Sequence, residues 1–577
     1  MRCLICWFVL LVLYSCSESL DKAVPPVPYE QHPDRNYTAT YAETIEWYRA
    51  LADAYPDMMR LDSTGTTDAG YPLHTLIVDA DGFEVPTDKA TLLINNAIHA
   101  GEPVGVDASM LLLRDYFTVD SLREQLSQVR MVVIPFYNIG GGLYRNSTTR
   151  ANQNGPEAYG FRGNAQNLDL NRDFIKADSE NVKAFAQVFH LWQPDAFMDN
   201  HTSNGADYPY TMTLIATQPD KLPISARNYM TEQLTPALYD GMAARDMEMT
   251  PYVYSMEDTP DQGIMAFMDS PRYSSGYASL FGTLSYISEA HMLKPYRDRV
   301  AHCRALMEVL TTQLAAHPEQ VRRARQEAMQ QAMQADSLAV AWALDRMSVD
   351  SLRFRGYTPD YKASEVSGLP RLYYDTLRPF ERDIPFYPTY KPTVTVSRPA
   401  AYVLLPGNRR VLDYLQLNGI EMRRLTRDTT LTVTQYRITD YQTATRPYEG
   451  HYVHYATEVQ PERVEYLVPR GSYIIPTQQP GVRYIVETLE PQGTDSFFAW
   501  GFYDAILQQK EYFSPYVFEE RAAAILTENP DLRAELEAAK AANPDLANSA
   551  YAQLKWVYDR SDHAERTFMR YPVLRVE

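Results

Sequence analysis

Hydrophobic and polar positions divide the chain into two regions of different rhythm. After a Pro-rich polar stretch at 22–38, residues 41–54 place Ile45, Tyr48, Leu51 and Ala52 at helical spacing, which predicts a helix. Strands are predicted near 58–62 and 72–79, parted by a turn at Gly65, Asp68 and Gly70. Apolar runs and helical patterns then alternate: strand 91–95, helix 104–117, strand 129–136, helix 179–192, strands 195–200 and 211–216, helix 222–244, strand 282–288, helix 296–315. That order predicts an α/β domain with a mostly parallel sheet. Residues 138–168 and 246–281 read as long loops, which compact domains keep mainly for function.

The second region begins with a charged helical stretch at 318–345 and an extended, Pro- and Tyr-rich stretch at 346–392. From 393 the pattern turns to β, with strands at 393–397, 401–405, 431–438, 464–469 and 472–476. Helices return at 497–509 and 517–545. The expected organisation is a leader at 1–16, a tether at 17–38, a catalytic-type α/β domain at 39–318 and a connector at 319–392. A β-rich accessory domain with C-terminal helices fills 393–577.

Of the 577 residues, 45% are apolar and 22% charged, an ordinary globular balance. A net charge of −19 argues against nucleic acid as a partner, since phosphate binding needs a basic face. Cysteine usage narrows the chemistry further. Cys3, Cys6 and Cys16 lie in the first sixteen residues, so a processed chain keeps Cys303 as its only ordinary thiol. Neither a disulfide framework nor a cysteine metal cluster is then available, and any metal must be held by His and carboxylates. The basic start and the apolar run from Cys3 to Tyr14 predict a secretory signal. Leu13-Tyr14-Ser15-Cys16 resembles a bacterial lipobox, with Cys16 the acylated residue, and a plain signal peptide is the alternative. The expectation is an exported protein of the periplasm or cell surface, lipid-anchored and otherwise soluble.

Four constellations carry candidate chemistry. His99 and Glu102 sit three apart where a buried strand ends, the edge at which open α/β sheets place ligands. A capping Glu beside a buried His is the bland alternative. His201, in Asp199-Asn200-His201, closes a second predicted strand, and with the first pair it makes a His₂Glu set suited to a catalytic metal with an open position. Asn171-Arg172 ends a polar loop and can grip a carboxylate, although a surface ion pair accounts for it equally when it is taken alone. Glu289 follows an apolar strand and shares a face with His291, which makes it a candidate proton acceptor and His291 a rival ligand.

Taken in order, His99-x-x-Glu102, Asp169-x-Asn171-Arg172, His201 and Glu289 resemble the zinc carboxypeptidase family over roughly 40–315, and Asp169-Leu170-Asn171-Arg172 is the most specific piece. The resemblance implies a three-layer α/β/α domain with a mostly parallel or mixed sheet. It implies one Zn2+ per chain on His99, Glu102 and His201, with Asp169 accepting a hydrogen bond from His99. Asn171 and Arg172 would hold the substrate carboxylate and Glu289 would act as general base. An upstream Arg would polarise the scissile carbonyl: Arg150 matches best, with Arg145 and Arg162 as alternatives. Tyr273 and Tyr277 are candidates for a mobile Tyr. The region after about 320 looks like the extra C-terminal part of bacterial envelope members.

The function expected is a zinc metallocarboxypeptidase acting on peptides with a free C-terminal carboxylate. Two alternatives stand beside it: trimming of peptidoglycan stem peptides, and a non-catalytic peptide-binding lipoprotein. No Gly-x-Ser-x-Gly elbow points to a serine hydrolase.

Overall fold

The computed structural model describes residues 24–85 and 87–577, so the expected leader and Cys16 lie outside the described residues. Its first region is built on eight strands. They are β1 (Met59–Thr64), β2 (Leu73–Val78), β3 (Ala90–Asn96), β4 (Val129–Ile134), β5 (Ala196–Ser203), β6 (Met212–Ala216), β7 (Met249–Pro251) and, after the two-residue β8 (Tyr254–Ser255) and β9 (Ile264–Met265), β10 (Leu284–His291). The sheet order is β1-β2-β4-β3-β5-β10-β6-β7. The central β4-β3-β5-β10 strands run parallel. Antiparallel pairing at β1–β2, β2–β4 and β10–β6 makes the whole sheet mixed.

Alternation along each central strand feeds two cores. Leu92 and Ile94 pack with helices Val104–Thr118 and Tyr296–Ala316 on one face, whereas Leu93 packs with helix Glu180–Trp192 on the other. Both faces being covered explains why β3 and β4 read as continuous apolar runs. The result is the three-layer α/β/α arrangement expected.

Several expectations need correction. The helix at 222–244 is interrupted by a π segment, Met230–Leu234, just before Pro236, whose missing N–H breaks the regular ladder. The helix after 318 stops at Gln334, and the next residues form β11 (Ser337–Leu344), paired with β14 (Tyr390–Ser397). There the gain from strand pairing overrides the helix preference of an Ala- and Leu-rich run. The extended stretch between them is a long hairpin, β12 (Asp350–Ala363) and β13 (Pro370–Tyr387). No α-helix forms at 497–509, where the one helical piece is the short 3-10 turn Asp504–Leu507. Gly501 at φ +77° turns the chain there, and Phe497, Phe498 and Trp500 are buried in an irregular segment. The helix at 517–545 is cut at Pro530 and Pro544 into Pro515–Glu528, Pro530–Ala542 and Pro544–Ala547, each Pro opening a new helix.

The remaining strands form a six-stranded sheet in the order β16-β19-β15-β20-β17-β18. They are β15 (Ala401–Leu404), β16 (Arg423–Arg424), β17 (Thr429–Thr443), β18 (His454–Val468), β19 (Tyr473–Pro476) and β20 (Arg570–Val576). This second region shares a hydrophobic core with the first. Tyr402, Leu415, Ile485 and Trp500 belong to the same buried cluster as Leu93, Phe185 and Phe197. The residues expected to form a tether are likewise packed down from residue 24 on: Val27 and Tyr29 are buried in the first core, and Trp47 Nε1 donates to the Pro25 carbonyl at 3.0 Å. Burial of these apolar side chains is what holds the stretch against the domain. Among the described residues no helix is long and apolar enough to cross a membrane.

Candidate active site

The carboxyl ends of β3, β5 and β10 meet at one cleft of about 560 Å³. β3 ends at Asn96, and Ala97 takes a left-handed φ of +57°, which turns the chain sharply into His99. The Glu102 N–H donates to the His99 carbonyl at 2.8 Å, so the two side chains leave one tight turn on the same side. β5 brings His201 from the neighbouring strand, and β10 brings Glu289 beside it in register.

One ligand atom from each of His99, Glu102 and His201 lies within 4.8 Å of the others. His99 Nδ1 is 3.3 Å from Glu102 Oε1, and His201 Nδ1 is 3.2 Å from Glu102 Oε2. The opposite ring nitrogens face carboxylates: His99 Nε2 lies 2.9 Å from Asp169 Oδ1, and His201 Nε2 lies 3.1 Å from Asp199 Oδ2. A metal-bound His commonly turns its second nitrogen to a carboxylate, so both Nδ1 atoms are oriented toward one point. His99 Nδ1 is buried and makes no hydrogen bond. Two imidazoles and a carboxylate, with a buried unpaired nitrogen aimed among them, fit a divalent ion such as zinc.

The electrostatics follow from the same contacts. Burial pushes the Glu102 carboxyl up, but Arg150, His99 and His201 outweigh it and hold it well below the usual carboxylate range. Asp169 behaves likewise: burial opposes ionisation, yet His99, Arg162 and Arg172 keep it ionised far below that range. Glu289 goes the other way. Burial, reinforced by Glu102, raises its carboxyl to about 7 against the opposing pull of His201, Arg162 and Arg150.

Of the three upstream arginines, two reach the cleft. Arg150 Nη1 donates to Glu102 Oε1 at 2.8 Å. Arg162 Nη1 reaches the same oxygen at 3.2 Å and also grips Asp169 Oδ2 at 2.8 Å. Arg145 turns away and donates to the Thr38 carbonyl at 2.7 Å. Asn171 is held by the Ser274 N–H, which donates to its Oδ1 at 2.9 Å and so leaves the amide nitrogen as the donor end. Arg172 lies over the Tyr273 ring at 4.5 Å.

Two candidates fall elsewhere. Tyr277 is buried among Phe174, Phe185 and Phe281, and its hydroxyl donates to Asn418 Oδ1 at 2.6 Å. His291, one side-chain period beyond Glu289, stacks on Tyr208 and lies 3.2 Å from Asp207. The residues not foreseen are Asp199 behind His201 and the apolar wall of Ile215, Tyr252, Phe267 and Ile287. Asp199 was within reach of the sequence, because residues two apart on a strand share a face. The wall was not, because it assembles from β6, β10 and a long loop.

Residues 44–272 match the family model described as zinc carboxypeptidase. Carboxypeptidase 2 of Trichophyton tonsurans is 22% identical over 491 residues, covering 80% of this chain and 84% of that protein. Carboxypeptidase 2 of Trichophyton rubrum is similar to the same extent. Among solved structures, a metallo-carboxypeptidase from Burkholderia cenocepacia is similar at 17% identity and a TM-score of 0.37, covering 49% of this chain and 70% of that one. The family match runs through β1–β9 and contains His99, Glu102 and His201. On that match residues 44–272 are a zinc carboxypeptidase domain, and the chain that carries it is a metallocarboxypeptidase.

Proposed function

We propose that this enzyme removes the last residue of peptides ending in a free carboxylate. The observation that carries the reading is the convergence in one cleft of the His99–Glu102–His201 set, the raised carboxyl of Glu289 and the Asn171-Arg172 pair. One Zn2+ per chain would be held by the three ligands and, when bound, supplies Lewis acidity that polarises a carbonyl and acidifies a water. Glu289 takes the proton of the attacking water and returns it to the leaving amine. A carboxyl with a pKa of about 7 is matched to both transfers near neutral pH. Arg150 and Arg162 place two guanidinium groups on the Glu102 side of the cleft, where they offset charge growing on the carbonyl oxygen. The Asn171 amide nitrogen and the Arg172 guanidinium clamp the terminal carboxylate, which confines cleavage to the last peptide bond. Export and lipid anchoring at Cys16 belong to the same reading and rest on residues 1–16 alone.

The test is metal content and peptide hydrolysis on one purified sample. About one zinc per chain is expected, with single C-terminal residues released and activity lost to a chelator. Release from cell-wall stem peptides alone would move the substrate to peptidoglycan. A chain that binds no metal would sink the reading.

A further inference from the structure

The second region sends one hairpin tip against the loop that carries Asn171 and Arg172. β17 and β18 are joined across residues 444–453, and the tip closes on Tyr448 and His451, which exchange backbone hydrogen bonds of 2.7 and 3.0 Å. The two residues between them, Glu449 and Gly450, both take positive φ, +49° and +82°. A two-residue turn of this kind favours Asn-Gly or Asp-Gly, so a Glu at the first position is locally unfavourable. Strain of that sort persists where the surroundings over-determine it, commonly at working sites. Here Glu449 Oε2 accepts the Asp169 N–H at 2.7 Å, in the loop that carries Asn171 and Arg172.

Tyr448 touches that loop more directly. Arg172 Nε donates to the Tyr448 hydroxyl at 2.9 Å, while Arg172 Nη1 donates to the Asn171 carbonyl at 2.8 Å. The Tyr448 ring is itself fixed. It stacks on buried Trp500 with centroids 6.2 Å apart, and the Arg272 guanidinium lies 5.5 Å from its centre. Arg272 is anchored in turn to Asp495 at 2.6 Å. A chain of packed groups therefore runs from the core of the second region to the guanidinium expected to meet the substrate. A guanidinium on a flexible stem carries rotamer entropy, and holding Nε from one side leaves only the Nη edge to present to a carboxylate.

We propose that Tyr448 is a positioning residue for substrate recognition, setting the Arg172 guanidinium so that its Nη edge faces the peptide's terminal carboxylate, with Glu449 holding the turn that delivers it. This rests on the reading of Arg172 as the carboxylate clamp. It makes the second region a structural part of the specificity site.

The test is Tyr448→Phe, which removes one oxygen and keeps the stacked ring. Loss of a hydrogen bond to a charged group predicts that KM for free-acid peptides rises about tenfold, with kcat within about twofold. The preference for free-acid over C-terminally amidated peptides should shrink by a similar factor, with the melting temperature unchanged. In an Arg172→Met background the same substitution should change KM no further. Unchanged KM and unchanged acid-over-amide preference in Tyr448→Phe would overturn the proposal, as would a fall in kcat alone. If the unsubstituted enzyme itself shows no preference for free-acid peptides, the clamp reading fails instead, and the two failures are distinguishable.

Discussion

Glu289 on β10 and His201 on β5 are register partners on adjacent parallel strands. Their side chains leave the same face of the sheet one strand spacing apart, about 4.8 Å. Register alone thus sets a candidate base beside a candidate metal ligand, with no loop needed to bring them together.

That placement predicts the effect of Glu289→Gln. The amide keeps the shape but cannot take a proton, so kcat should fall by about 10³-fold, with zinc content unchanged. Metal analysis alongside peptide assays decides it, and full activity in the variant would remove Glu289 from the role.

The raised Glu289 carboxyl predicts the acid limb of kcat/KM. The ionised form is the active one, so activity falls as pH drops through its pKa. With that pKa pushed up to about 7, and a bound cation pulling it back down, the limb should lie between about 5 and 7. A rate profile flat down to pH 4.5 would contradict the assignment.

Asp169 predicts a metal-affinity effect without loss of a ligand. Asp169→Asn keeps an acceptor for His99 Nε2 but removes the charge behind the imidazole. Zinc affinity should weaken about 10- to 100-fold, measured by competition with a chromogenic chelator. Unchanged affinity would mean that His99 is oriented by its turn alone.

His190 predicts acid sensitivity where the two regions join. Its Nε2 faces the Tyr277 hydroxyl at 3.0 Å and Asn418 Oδ1 at 3.3 Å, and burial, with Arg325 nearby, lowers its pKa to about 4. The unfolded chain protonates this ring near 6.5, so its contribution is complete above 6.5 and is lost as pH falls from 6.5 towards 4. Unfolding free energies from urea titrations at pH 7.5 and 5.0 should diverge, by on the order of 1 kcal/mol after allowing for partial exposure. His190→Gln should narrow that gap, and an equal gap in the variant would rule the residue out.

Gly105 predicts a packing cost. A Cβ there would lie 2.4 Å from Asn96 Oδ1 and 2.5 Å from Asn200 Cβ, next to the strand ends that carry His99 and His201. Gly105→Ala should cost about 1–3 kcal/mol through overpacking, seen as a lower melting temperature and weaker zinc binding. A melting temperature equal to the parent's would show that the helix shifts without cost.

The sequence by itself determined the α/β region and the order of its elements, because strand and helix periods are local properties of the chain. It also brought out His99, Glu102, His201 and Glu289, since each lies at a strand end where the pattern breaks. Interrupted and irregular segments escaped it. β11 takes its form from pairing with β14, and the buried stretch around Trp500 from packing, so neither is written in local propensity. Tertiary structure alone decided which arginines reach the cleft, that Tyr277 belongs to the core and Tyr273 to the site, and that Tyr448 meets Arg172 across 276 residues of chain. Contacts of that kind depend on how two sheets pack on one shared core, and no periodicity along the chain records that distance.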